Sequence, residues 1–304
     1  MTTRTTVAVL GTGGVGAVLA VRYGLAGHRV LCLASPRSGP VIRERGLTVL
    51  APDGSLAFRP EVVALLEEPV DVLVVATKAQ VLADALDRVD PAAVASGAVV
   101  PLLNGIEHMG ILRERFGDVV LAGSVGRISA QIEEPGRIVQ HSAGALIALA
   151  SDARPATWTE DVAARLRAPQ VGVVVGASEA EVLWDKLVRL AGLAAATSAS
   201  GLTIGGTRSS PEWRPRLLAA FEEAAAVAAS EGAELDVPAM IAFVDGLPFD
   251  SSTSTSLDVA AGRPSELDAI SGSVLRIGER NDVPCPQLAS LVADAEERAA
   301  CLAR

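Results

Sequence analysis

The sequence has 304 residues, 50% hydrophobic and 20% charged, which is enough apolar material for two folded cores and too much for a disordered chain. A net charge of −10 without a compensating Lys/Arg cluster, and only 3% aromatic residues, argue against a nucleic-acid surface. Cys32, Cys285 and Cys301, like His28, His108 and His141, are scattered without metal-ligand or disulfide spacing, and the N-terminal apolar run is too short for a signal core or a membrane span. These features read as a cytoplasmic protein with no nucleic-acid or membrane partner.

Taken in chain order, the first half alternates β-branched runs with helical stretches. "TVAVL" reads as a strand, "GTGGVG" as a loop and "AVLAVRYGLAG" as a helix. The strands "HRVLCLA" and "DVLVVAT", the helix "AQVLADALDRV", the strand "GAVVPLL" and a helix after "NGIEHM" follow. Uninterrupted apolar strands between helices indicate a parallel sheet covered on both faces. "VVLAGSV", "GRISAQIEE", "GRIVQHSAG" and "ALIALA" read as further strands extending that sheet. From Ser178 the chain turns helical, with helices expected over 178–199, 211–232, 253–261, 266–281 and 286–302, punctuated by Pro211, Pro238, Pro264 and Pro284. The expected fold is therefore α/β: a Rossmann-type sheet domain over residues 1–175 and an all-helical domain over 176–304 that carries substrate and catalysis.

Gly11, Gly13 and Gly16 have the G-x-G-x-x-G spacing, after a strand and at the opening of a helix. The first glycine permits a tight turn, the second lets a pyrophosphate approach the backbone, and the third lets helix and strand pack closely. The run Gly11, Thr12, Gly13, Gly14, Val15 and Gly16 is thus the candidate cofactor loop, at a helix N-terminus whose free N–H groups suit phosphate. An NAD site usually places an acid at the end of the second strand. Here that strand ends "LCLASPRSG", with Ser35 and Arg37 in place of the acid and Arg43 further on. A hydroxyl and a guanidinium suit the 2′-phosphate of NADP(H), although Arg37 is also an ordinary loop residue. Lys78 follows one strand end and Asn104-Gly105 follows the next, where ligands of such sheets lie; an Asn-Gly pair is also a common turn.

Several segments in order carry a resemblance: "GTGGVG", "RERGLTV", "VATKAQ", "PLLNGIEHM", "EEPGRIVQHSAG", "LWDKL" and "AAGRPSELDAISGSVLRIGERNDVPCP". Over nearly its whole length the chain resembles the ketopantoate reductase (2-dehydropantoate 2-reductase) family of pantothenate biosynthesis. The resemblance implies an N-terminal Rossmann domain, a helical C-terminal domain and NADPH-dependent reduction of a 2-keto acid. It implies Lys186 as general acid, Glu266 as an active-site carboxylate, and Lys78 and Asn104 at the junction of cofactor and substrate. The chemistry agrees: hydride addition to a ketone leaves an alkoxide, which a nearby ammonium stabilises and protonates. Apolar surroundings lower a lysine's pKa towards a useful range. Outside this resemblance, Lys186 reads as a surface lysine lying along apolar neighbours.

The chain departs from the family where asparagines usually lie one and two turns beyond the lysine. Leu190 and Ala194 stand at those positions, so a substrate wall there is apolar and pantoate's polar groups lose their partners. The family's substrate serine falls in "SSTSTSLD", at Ser254 or Thr253, where a helix N-cap is an equal reading. Glu266 has its own bland reading as a first-turn glutamate favoured by the helix dipole. The leading expectation is an NADP-dependent oxidoreductase of a small 2-keto acid or related ketone. Alternatives are a 3-hydroxyacid dehydrogenase of the 6-phosphogluconate dehydrogenase type and a non-catalytic NADP-binding sensor. An alanine-rich helical domain is compatible with a homodimer.

Overall fold

Short β-branched runs without polar interruption make the strands of the first half, and the computed structural model describes residues 4–302. The chain divides into two units. One extends to Leu103 and resumes over His108–Val182; the other takes Asn104–Glu107 and the chain from Leu183 onward.

In the first unit β1 (Thr6–Leu10) leads through α1 (Gly14–Leu25) to β2 (Arg29–Leu33). α2 (Gly39–Arg45), β3 (Leu47–Ala51), β4 (Gly54–Phe58), β5 (Glu61–Val62), β6 (Val72–Val75), α3 (Leu82–Leu86), β7 (Ala98–Pro101) and α4 (His108–Phe116) follow. β8 (Ala122–Gly126), β9 (Ala130–Glu134), β10 (Arg137–Gln140), β11 (Ala145–Ala150), α5 (Ala156–Leu166) and β12 (Val171–Val175) complete the series. The main sheet has the order β5-β2-β1-β6-β7 and is parallel throughout. Its order reverses direction at β1, which has β2 on one side and β6 on the other. In such sheets ligands bind beyond the carboxyl ends of the strands at that reversal.

The later strands do not extend this sheet as expected. β9 and β10 join the β3–β4 hairpin in a four-stranded sheet of order β4-β3-β10-β9, and β8, β11 and β12 form a third sheet. A single bridge from Val99 to Val120 connects β7 with the chain entering β8. For β9 and β10 the reason is α1, in which every residue from Gly16 to Tyr23 is buried. A helix apolar all round needs cover on both sides. The parallel sheet supplies one side and the four-stranded sheet the other.

One charged residue of α1 is buried in this sandwich. Arg22 is 4% exposed, forks onto both carboxylate oxygens of Asp53 at 3.2 Å, and donates to Gln140 Oε1 at 3.3 Å. Gln140 in turn donates to the Gly144 carbonyl at 2.7 Å. Removing one partner of a buried pair leaves the other uncompensated. Arg22→Met is therefore expected to destabilise the fold by about 2–3 kcal/mol in urea denaturation, well beyond the effect of an exposed arginine.

The second unit is helical. α6 (Glu179–Ser200) supplies most of its length to it, followed by α7 (Ile204–Ser209), α8 (Trp213–Ser230), α9 (Val237–Asp245), α10 (Ser254–Ala260), α11 (Ser273–Arg280) and α12 (Pro286–Leu302). Trp184, Leu217, Phe221, Val227, Ile270, Leu288 and Leu291 form its core. Glu223 of α8 accepts from the Gln287 and Leu288 amides at 2.9 and 2.8 Å, which caps α12 with a carboxylate at its positive end. The helix expected over 266–281 is interrupted: Asp268–Gly272 forms a π-helical turn before α11. Such widened turns often mark functional positions. No described helix is long and apolar enough to cross a membrane.

Candidate active site

The glycine loop has the geometry its spacing implies. Gly11 takes φ +94°, a left-handed conformation that glycine adopts without strain, and any Cβ there would lie 2.8 Å from the Ala76 carbonyl oxygen. At Gly16 a Cβ would lie 1.9 Å from the Gly11 carbonyl oxygen, so the third glycine is what lets α1 start against the strand. At Gly13 a Cβ would meet nothing within 4 Å. Open space therefore adjoins the N-terminus of α1, whose first turn carries no side-chain cap and no acid. Free N–H groups, a positive helix end and open room together suit a phosphate-bearing ligand.

Thr12, Gly14 and Val15 are partly exposed along the same loop. Lys78 is exposed, two residues past the Ala76 carbonyl that abuts Gly11. At the end of β2, Ser35 Oγ accepts from the Ser38 amide at 3.2 Å and lies 2.9 Å from Ser38 Oγ, forming a tight hydroxyl turn. Arg37 is exposed on that turn. Arg43 donates to the Val62 carbonyl at 3.3 Å.

The second unit brings three of the sequence candidates into one chain of hydrogen bonds. Lys186 Nζ donates to Asn104 Oδ1 at 3.0 Å, and Asn104 Nδ2 donates to Glu266 Oε2 at 3.0 Å. The amide presents its oxygen to the ammonium and its nitrogen to the carboxylate, the one orientation in which both contacts attract. Glu266 is 9% exposed, and Lys186 is half-buried in α6.

Asn104 is placed by its neighbour Gly105 and by an ion-pair network that the sequence did not single out. Gly105 takes φ +83°, and a Cβ there would sit 2.2 Å from the Ala269 carbonyl oxygen in the π-helical turn. The Asn-Gly pair thus allows a close backbone approach as well as a turn. Arg276 of α11 then grips Glu107 through Nε and Nη2 at 2.9 and 2.7 Å, and Asp268 through Nη1 at 2.7 Å. Ser271 Oγ, also in the turn, donates to the Ala191 carbonyl of α6 at 2.9 Å. The loop carrying Asn104, the turn beside Glu266 and the helix carrying Lys186 are thereby tied to one another. No local pattern marks Glu107 or Arg276, which are 169 residues apart.

Burial pushes the Lys186 ammonium down to about 8; the Glu266 carboxylate acts against this and Arg189 adds to it. Arg189 is itself paired with Asp185 one turn back, through contacts of 2.7 and 2.5 Å. Near neutral pH the lysine is mostly charged yet much more acidic than a free lysine. It can stabilise a developing oxyanion and give up its proton.

Other sequence candidates fall elsewhere. Leu190, one turn beyond Lys186, is half-buried, but Ala194 is 0% exposed and offers no surface to a ligand. Eight residues are a little over two helical turns, which swings Ala194 about 80° away from the lysine and into the core. Thr253, not Ser254, is the N-cap of α10. Its hydroxyl accepts from the Ser256 amide at 3.0 Å and lies 3.0 Å from Thr197 Oγ1. Ser254 is exposed. His108 is buried at the start of α4 and His141 is exposed.

Comparison with known proteins bears on this geometry. The family model described as ketopantoate reductase PanE/ApbA matches residues 7–151, and its C-terminal counterpart matches residues 180–298. The chain is 22% identical to the Bacillus subtilis oxidoreductase YkpB over 94% of its own length and 96% of that protein. It is 29% identical to the 2-dehydropantoate 2-reductase of Halobacterium salinarum, covering 82% of this chain and 84% of the relative. The crystal structure of a PanE/ApbA family ketopantoate reductase from Ralstonia eutropha superposes with a TM-score of 0.87 at 25% identity, covering 98% of this chain and 100% of that one. With both halves matched over most of their length, and the glycine loop and the Lys186–Asn104–Glu266 chain each formed within its own unit, the protein belongs to the ketopantoate reductase family of oxidoreductases.

Proposed function

We propose that the protein is an NADPH-dependent reductase of a 2-keto acid, with Lys186 as the proton donor. The observation that carries this reading is the hydrogen-bonded series Lys186–Asn104–Glu266 together with the lowered lysine pKa. A bound nicotinamide dinucleotide would supply hydride to the carbonyl carbon. The glycine loop from Gly11 to Gly16 would hold its pyrophosphate, Ser35 and Arg37 its adenosine end, and Lys78 and Asn104 its remaining polar groups.

The chain's own residues account for the fate of the charge. Reduction of a ketone turns the carbonyl oxygen into an alkoxide. The Lys186 ammonium has three N–H donors and spends one on Asn104, which leaves donors for the substrate oxygen. It stabilises the negative charge as it forms and then transfers a proton, becoming neutral. The Glu266 carboxylate holds the Asn104 amide in the orientation that receives the ammonium, so the donor is fixed before substrate arrives.

The half-buried leucine beside the lysine supports a substrate with an apolar side group. Leu190 cannot donate or accept a hydrogen bond, and a polar substituent set against it would lose its water partners without replacement. Leu190→Asn is expected to raise kcat/KM for hydroxyl-bearing 2-keto acids by roughly tenfold or more and to lower it for aliphatic ones. The test is NADPH oxidation, followed by absorbance, against a panel of 2-keto acids of graded polarity that includes ketopantoate. Turnover highest with aliphatic or aromatic 2-keto acids supports the reading. Turnover confined to ketopantoate makes the enzyme a 2-dehydropantoate 2-reductase despite Leu190. No turnover with any of them, alongside tight NADPH binding, turns the reading into that of a cofactor sensor.

A further inference from the structure

Arg88 lies after α3, far in sequence from the glycine loop, yet its guanidinium is bonded to the carboxyl ends of β2 and β5. Nη1 donates to the Ala34 carbonyl at 2.8 Å, and Ala34 directly precedes Ser35. Nη2 donates to the Val63 carbonyl at 3.1 Å and Nε to the Ala64 carbonyl at 2.8 Å. Three of its five donors are thus spent on neutral acceptors. These bonds lock the strand end from which Ser35 and Arg37 project.

The charge is left over. Among the described residues no carboxylate pairs with Arg88, and partial burial disfavours its charged form. The contrast with Arg29 on β2 is direct: Arg29 is neutralised by Glu61 and Glu68, each at 2.7 Å. Those two acids are therefore already engaged. From Ala34 through Arg43 the sequence has no acid and two arginines, Arg37 and Arg43. A partly desolvated guanidinium held by carbonyls, next to a basic turn free of carboxylates, favours an anionic group.

We infer that Arg88 is a specificity-determining residue: it holds the Ser35–Arg37 turn in place and adds an unneutralised charge there, favouring a ribose 2′-phosphate over a free 2′-hydroxyl. This rests on the nicotinamide-cofactor reading above. Two small probes separate it from that reading: adenosine 2′,5′-bisphosphate and 5′-AMP, which differ only in the 2′-phosphate. Both are titrated calorimetrically into wild type, Arg88→Met and Arg88→Gln at low and moderate salt, with thermal melting of each variant.

The expected result is a wild-type preference for the bisphosphate that weakens with salt. Arg88→Met lowers bisphosphate affinity by about tenfold or more and leaves 5′-AMP affinity unchanged. Arg88→Gln keeps a donor for the carbonyls and removes the charge, so it shows the same selective loss even where Arg88→Met melts early. Equal losses for both probes would make Arg88 purely structural and overturn the inference, as would no loss for either. Wild type binding both probes equally overturns it while leaving the glycine-loop assignment intact. Wild type binding neither overturns the cofactor reading itself.

Discussion

Replacing Lys186 with methionine is expected to lower kcat for keto-acid reduction by about 10²–10⁴-fold, the range that a positioned proton donor contributes. Methionine keeps the length and the apolar stem, so the packing of α6 changes little. NADPH affinity, measured by fluorescence titration, is expected to stay within about threefold of wild type, since the loss falls on the chemical step. Lys186→Arg is expected to restore little. A guanidinium is a far weaker acid than an amine titrating near 8, so it can stabilise an alkoxide but donates its proton much less readily. If Lys186→Met turned over like wild type, the donor would have to be another residue. If it lost NADPH binding and activity together, Lys186 would be a binding residue. The low pKa of Lys186 is part of this argument. An amine brought down to about 8 is a far better acid than an ordinary lysine, and burial is the first cause of the shift.

The second large effect is expected at Gly16. A methyl group there would lie 1.9 Å from the Gly11 carbonyl oxygen, a backbone atom that cannot swing aside. Gly11 cannot move freely either, because it is held at φ +94° with the Ala76 carbonyl against it. The start of α1 must therefore shift away from β1. Gly16→Ala is expected to cost about 1–3 kcal/mol in urea denaturation, the usual range for forced overpacking. NADPH binding is expected to fall by at least about tenfold, because the first-turn amides move with the helix. Gly13→Ala is the informative contrast. Its methyl would meet no protein atom within 4 Å, so stability is expected to hold. Binding should still fall, because the methyl projects into the space that a pyrophosphate would take. If Gly13→Ala bound NADPH as well as wild type, the ligand would not be seated on this loop.

What could be read from the sequence follows from the range of each interaction. The strands of the parallel sheet and the glycine loop are local: an apolar run or a fixed spacing carries the information within ten or so residues. The grouping of β8 to β12 into two further sheets is not local. Those runs show strand character but not their partners: β9 and β10 pair where they help cover a helix buried all round, while β8, β11 and β12 pair with one another and pack with α5. The same holds for the site. Lys186, Asn104 and Glu266 each stand out singly through the motifs that carry the resemblance. Their union spans 82 and 162 residues of chain, and no spacing rule encodes it. Glu107 and Arg276 carry no signal at all until the π-helical turn and the Asn104 loop are seen together. Ala194, expected at the substrate wall from the resemblance, is 0% exposed. Eight residues exceed two helical turns, and the angular drift turns that residue away from Lys186 and into the core.

The most direct test of the account is the pH dependence of kcat/KM for reduction of a 2-keto acid by the unmodified enzyme. With Lys186 as the proposed proton donor, its charged form would be the reactive one in this direction. The rate should be level below pH 7 and fall as pH rises through about 8, with the amine titrating. The reverse oxidation needs the neutral amine, so its rate should rise through the same region. A reduction rate that stays level to pH 10, or that rises through pH 8, would contradict Lys186 as the proton donor.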